Sequence, residues 1–216
     1  MLNAVIFDMD GLMFDTEKVF LWAYQTTGFE YGIVDIAPFY YRTLGTSQQE
    51  SDLIIAEVAK SVSEAKEISR IARERVSAYY KTHTTPEMPG LRELLDYLKE
   101  KGYQLGVASG SSEKDVSFHL NKSGLWGCFG AVVHAGMVER CKPFPEPFLK
   151  CAELLGVDPD DCMVLEDSVN GVRAAYAAGM KPVMVPNLQQ PDEATEELLF
   201  YKAKDLLAVR DWLMAR

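Results

Sequence analysis

The sequence predicts an α/β protein, a doubly wound and mainly parallel sheet interrupted by an all-helical insert. Short apolar runs alternate with amphipathic helices from about residue 86 onward. One more run of the same kind, "AVIF" at Ala4–Phe7, stands alone near the start of the chain. Between the two regions the apolar residues recur only at helical spacing, with charges on the opposite face. Strands that alternate with helices pair in parallel through right-handed crossovers, so the helical stretch after the first strand reads as an insert. The expected division is 1–14 and 86–216 for a sheet-bearing core and 15–85 for the helical insert.

Each element has a local reason. "AVIF" is a buried-strand pattern bounded by Asp and Gly. "SQQESDLIIAEVAK" and "SEAKEISRIARERVSAYYK" carry the helical periodicity of the insert, and "TTPEMPG" breaks the chain at Pro86 and Pro89. "LRELLDYLKEKG" is an amphipathic helix that Gly102 can end. "YQLGVAS" is a strand, and "SSEKDVSFHLNKSG" a helix whose serines can cap its start. "FGAVVH" is a strand, and "PEPFLKCAELLG" a helix with proline in its first turn. "CMVLED", "SVNGVRAAYAAG" and "KPVMVP" follow as strand, helix and strand, and "AKDLLAVRDWLMA" is a closing helix.

The 216 residues are 48% hydrophobic, enough core for one domain carrying a smaller insert. No apolar stretch reaches the about 20 residues that span a bilayer, and the first residues lack a basic n-region. The net charge of -10 argues against nucleic acid or an anionic membrane as partner. Cys128, Cys141, Cys151 and Cys162 form no C-x-x-C pair and read as reduced thiols, which makes a cytoplasmic location the expectation. His83, His119 and His134 show no metal-ligand spacing. The oligomeric state is not readable.

Ligands of such a sheet bind at the carboxyl ends of its strands. Asp8 and Asp10 end the first strand, Ser109-Gly110-Ser111 the second, and Glu166-Asp167 the strand "CMVLED"; Lys142 lies in the loop after "FGAVVH". Asp8 and Asp10 point to the same side if the chain stays extended. Close carboxylates repel, and Asp167 adds to the crowding. A hard divalent cation with oxygen ligands relieves this, and Mg²⁺ suits it because it leaves positions for water and phosphate. Beside a lysine, a serine and loop N–H groups, that cation describes a phosphate pocket. One carboxylate can then act as nucleophile and the other as acid and base.

"FDMDG", "ASGSS", "KPFPEPF" and "LEDSVNG", in that order, resemble the motifs of the haloacid dehalogenase-like superfamily of phosphatases, over the whole chain. The insert resembles the helical cap of its β-phosphoglucomutase-like subfamily, and the sheet is then Rossmann-like. The resemblance implies that Asp8 is the nucleophile that becomes aspartyl-phosphate and also binds Mg²⁺. It makes Asp10 the general acid and base, with its backbone carbonyl on the metal. Ser109 and the Gly110 N–H would hold the phosphoryl group, Lys142 would neutralise Asp8 and the phosphate, Asp167 would be a metal ligand, and Glu166 a ligand directly or through water. A cis bond between Lys142 and Pro143 fits the subfamily. Asp15 and Thr16 either line the cavity or cap the first insert helix. The loop Leu44–Ser47, with Gly45 and Thr46, either selects substrate or is an interhelix turn. Arg42 and Arg75 are candidates for a substrate anion by position alone.

Asp10 stands where the dehalogenases of the superfamily lack an aspartate, so phosphoryl transfer is favoured. Phe20 and Gln48 stand where β-phosphoglucomutases carry a histidine and an arginine, and Leu44 where they carry a lysine. The expected activity is hydrolysis of a small phosphorylated metabolite of the sugar- or polyol-phosphate class. A sugar phosphate mutase is the enzymatic alternative, and a phosphoaspartate signalling or binding module the non-enzymatic one. No Walker loop, G-x-G-x-x-G or G-x-S-x-G is present.

Overall fold

All four residues of the first apolar run are buried completely, because the run lies inside a parallel sheet with both faces covered. The computed structural model describes residues 2–43 and 48–216. The chain runs through β1 (Ala4–Phe7), α1 (Thr16–Glu30), α2 (Ala37–Thr43), α3 (Gln48–Ala56), α4 (Val62–Thr82), α5 (Leu91–Glu100), β2 (Gln104–Ala108) and α6 (Glu113–Lys122). It continues through β3 (Ala131–Val133), α7 (Glu146–Leu155), β4 (Cys162–Glu166), α8 (Val169–Ala177), β5 (Lys181–Met184), α9 (Glu193–Glu196), β6 (Tyr201–Lys202) and α10 (Leu206–Met214).

The six strands lie in the order β3-β2-β1-β4-β5-β6, every neighbouring pair parallel. The order reverses direction at β1, so the loops after β1, β2 and β4 meet at the switch point of the sheet. Alternate residues of each strand feed two cores. Val5, Phe7, Val107 and Leu165 pack with Leu94 and Leu98 of α5 on one face. Ala4, Ile6 and Val164 pack with Phe148 and Cys151 of α7 on the other. Each fully buried chain of this size contributes about 1.5–3 kcal/mol.

The chain divides into two compact units, Met1–Asp15 with Pro86–Arg216, and Thr16–Thr85. Helices are the only regular elements among the described residues of the second unit. It has its own core, in which Val19, Ala23 and Tyr24 of α1 meet Ile55 of α3 and Ile68 and Ala72 of α4. Ser61 starts α4 by accepting from the Glu64 N–H at 3.1 Å, while the Glu64 carboxylate accepts from the Lys60 N–H at 2.6 Å. Of the aromatic residues in "VFLWAY" and "PFYYR", Tyr24 and Tyr40 are buried and Trp22 and Tyr41 are exposed.

The two-residue strand β6 and the single-turn helix α9 were not expected from the sequence. Both are too short to show a period. β6 exists because Val183 and Met184 of β5 offer it a parallel edge.

Candidate active site

Parallel pairing puts every strand's carboxyl end on one edge, and the predicted residues Asp8, Asp10, Ser109, Gly110, Lys142, Glu166 and Asp167 all belong to the ends or loops there. Asp8 directly follows β1, and its N–H extends the ladder to the Leu165 carbonyl at 2.9 Å. Its carboxylate accepts a hydrogen bond from the Lys142 ammonium. Lys142 also donates to Glu166 Oε1 at 2.6 Å, and its Nζ lies 4.7 Å from the centre of the Phe148 ring. The Lys142–Pro143 peptide is cis.

Glu166 is the last residue of β4 and is wholly buried. Its Oε2 accepts from the Asp167 N–H at 3.1 Å, the Ser168 N–H at 3.0 Å and the Ser168 hydroxyl at 2.9 Å. The same hydroxyl accepts from the Gly171 N–H at 3.0 Å, as the N-cap of α8. Asp167 occupies the space that Gly11 leaves free. A Cβ on Gly11, whose φ is 84°, would lie 2.2 Å from Asp167 Oδ2.

Asp8, Glu166 and Asp167 each offer a carboxylate oxygen within 4.8 Å of the others. Burial raises the Asp8 carboxyl well above its usual pKa; Lys142 pulls it back, while Glu166 and Asp10 push it further up. Burial also works against the Lys142 charge, but Asp8 and Glu166 outweigh it and hold the ammonium above the usual lysine value. Lys142 thus pairs with two of the three carboxylates, Asp8 and Glu166. Oxygen donors in such a set suit a hard divalent cation.

Asp10 faces a different group. Its Oδ2 accepts from the Ser111 hydroxyl at 2.7 Å and from the Ser109 hydroxyl at 3.2 Å. Ser109 Oγ in turn accepts from the Ser111 N–H at 3.0 Å. Gly110 between them has open space where a side chain would be. Ser112 is the N-cap of α6. The three serines therefore split their tasks: Ser109 and Ser111 turn to Asp10, and Ser112 caps α6. Ser111 was placed at the strand end without a role of its own, and Ser168 was missed, because each sits in a run that reads fully as a helix cap. Asn187, after β5, was also missed; its amide donates to the Gly11 carbonyl at 3.1 Å.

The insert residues are placed as follows. The Asp15 N–H donates to the Pro86 carbonyl at 2.8 Å, and Thr16 is the buried first residue of α1. Arg75 pairs with Glu30 at 2.6 Å, and Arg42 pairs with Glu57 at 2.7 Å through both terminal nitrogens. Gly45 and Thr46, with Leu44 and Ser47, lie outside the described residues. His119 is buried against Phe14, and His83 stacks on Tyr79.

A six-stranded parallel sheet with an acidic, lysine-bridged cluster at its switch point defines a doubly wound α/β protein with charged groups where such sheets bind their ligands. The chain belongs to the haloacid dehalogenase-like hydrolase family, whose model matches residues 5–185. Hexitol phosphatase B of Escherichia coli (strain K12) is 36% identical over 187 residues, covering 85% of this chain and 83% of that protein. A phosphorylated carbohydrates phosphatase of Thermotoga maritima is 30% identical over 182 residues, covering 84% of each. The crystal structure of a family hydrolase from Deinococcus radiodurans R1, with bound phosphate and sodium, superposes with a TM-score of 0.82 at 25% identity, covering 99% of this chain and 96% of that one. No helix among the described residues is long and apolar enough to cross a membrane.

Proposed function

We propose that the chain is a Mg²⁺-dependent phosphatase that hydrolyses a small phosphomonoester of the sugar- or polyol-phosphate class through an aspartyl-phosphate on Asp8. The observation that carries this is the pairing of Asp8 with Lys142 inside a cluster of three carboxylates whose oxygens lie within 4.8 Å of one another. Family membership and the phosphatase relatives support hydrolysis, and their names support the substrate class. Mutase activity is disfavoured, because Phe20 and Gln48 supply no cation to hold a second phosphate.

The cluster fits the ion. Asp8 and Asp167 would hold it with the Asp10 backbone carbonyl, and Glu166 directly or through water. Bound there, Mg²⁺ would supply charge neutralisation and orientation for the phosphoryl group. Asp8 attacks phosphorus, and the ester oxygen leaves with a proton from the Asp10 carboxyl. Asp10 then takes a proton from water, whose oxygen attacks phosphorus and frees Asp8 and inorganic phosphate. Lys142 offsets charge on Asp8 and the phosphoryl oxygens, and Ser109 with the Gly110 N–H orients those oxygens.

The test is phosphate release from a panel of sugar, polyol and nucleotide monophosphates. Turnover is expected with Mg²⁺, loss of turnover with EDTA, and the best rate with a hexitol or sugar phosphate. Isomerisation of a sugar phosphate without phosphate release would refute hydrolysis. A second outcome separates the serines. Ser111→Ala removes a hydrogen bond to the Asp10 carboxylate and should lower kcat about 10–100-fold with little change in stability. Ser112→Ala removes a helix cap and should cost about 1 kcal/mol of stability with kcat retained. Equal kcat for the two variants would remove Ser111 from the site.

A further inference from the structure

Away from the strand ends, α5 turns a row of polar side chains, Arg92, Asp96 and Lys99, toward solvent, and its cations reach the chain between α6 and β3. Arg92 donates to the Ser123 carbonyl at 2.7 Å and pairs with Glu87. Lys99 Nζ lies 2.9 Å from Cys128 Sγ. Cys128 ends the short turn Trp126–Cys128 and is half-buried.

We propose that Lys99 and Cys128 form a modification site for peroxides, in which the oxidised Cys128 sulfur is captured by the Lys99 amine as a covalent nitrogen–sulfur cross-link. The Cys128 thiolate attacks one peroxide oxygen. The S–O bond forms, the O–O bond breaks, sulfur is oxidised by two electrons to the sulfenic acid, and the other peroxide oxygen leaves as hydroxide, which takes a proton from the Lys99 ammonium to become water. The unprotonated Lys99 amine then attacks sulfur. The N–S bond forms, the S–O bond breaks, and the hydroxyl leaves as water with a proton from nitrogen. One hydrogen peroxide is consumed and two waters are released, and dithiothreitol reverses the link. The bridge ties α5 to the turn before β3, across 29 residues of chain.

The other thiols sharpen the assignment. Cys151 and Cys162 are buried, and burial pushes the Cys162 thiol up to about 11 and that of Cys151 higher still, so both stay protonated. Cys141 is exposed and competes for oxidant. The experiment therefore uses the full chain carrying Cys141→Ser, treated with hydrogen peroxide and digested. A peptide pair joined through Lys99 and Cys128, lighter by two hydrogen atoms and split by dithiothreitol, is expected. The treated protein should melt about 5–10 °C higher, because the link closes a loop in the unfolded chain. Lys99→Arg keeps a cation but does not condense, so it should accumulate Cys128 sulfenic acid, trapped by dimedone, with no joined peptide and no gain in melting temperature. Absence of the joined peptide, or the same gain in Lys99→Arg, overturns the proposal.

Discussion

Asp8→Asn is expected to abolish phosphate release, by about 10⁴-fold or more, and at the same time to stabilise the metal-free protein at neutral pH. The first effect follows because an amide is no nucleophile and carries no charge for a cation. Asn keeps the size of the side chain and an oxygen that Lys142 can still reach, and Glu166 Oε1 remains its second partner at 2.6 Å. The loss should therefore fall on the chemical step, and the variant should retain its fold and α/β circular dichroism. Phosphate release at the wild-type rate would remove Asp8 from the reaction.

The second effect follows from burial. The folded-state pKa of Asp8 stands well above the usual aspartate value of 3.8. The folded protein thus binds a proton that the unfolded chain has released, and stability falls as pH rises above that value. At pH 7 in EDTA the buried Asp8 carboxyl is therefore a cost to folding, and Asn removes it. The variant should melt above the wild type at neutral pH, with a gap that closes as pH falls toward 3.8. A difference of 1 kcal/mol moves the melting temperature of a chain this size by about 2–4 °C. Mg²⁺ should reverse the order, because the wild type alone gains about 2.7 kcal/mol at a hundredfold excess over its Kd. A variant less stable than the wild type in EDTA at pH 7 would show that Lys142 already neutralises Asp8 in full.

The same burial explains what the sequence discloses. β1 and β4 are legible because strands covered on both faces must be apolar throughout, and the acids that end them stand out against that background. The motif residues are legible because each follows such a strand, where the parallel topology sends every loop to one edge. Ser111 is not, because a serine run before α6 is satisfied by capping alone, and only Asp10, from a loop about a hundred residues away, separates its members. β6 is two residues long and exists only on the edge of β5. The contact of Lys99 with Cys128 joins segments with no shared period. Gly171 is the instructive case, because "SVNGVRAAYAAG" reads as packing until the conformation of Glu166 is known.

Gly171→Ala is expected to destabilise the protein by about 2–4 kcal/mol and to lower kcat by about 100-fold or more, against the preference of helices for alanine. In the interior of an exposed helix the change would stabilise by about 1 kcal/mol. Here an added Cβ would lie 1.8 Å from Glu166 Cδ and Oε1. Glu166 cannot yield at little cost. It is wholly buried, its Oε2 accepts three hydrogen bonds from Asp167 and Ser168, and its Oε1 holds Lys142. Moving it leaves buried donors unpaired and frees Lys142 from the position that faces Asp8. Glu166→Ala provides the control. If the clash is the cause, Gly171→Ala added to Glu166→Ala should cost nothing further and regain up to about 1 kcal/mol from helix propensity, a coupling of about 2 kcal/mol or more. Melting temperatures and kcat for the two single variants and the double variant measure it. Additive losses would mean that Gly171 serves the packing of α8 on the sheet and not the carboxylate beneath it.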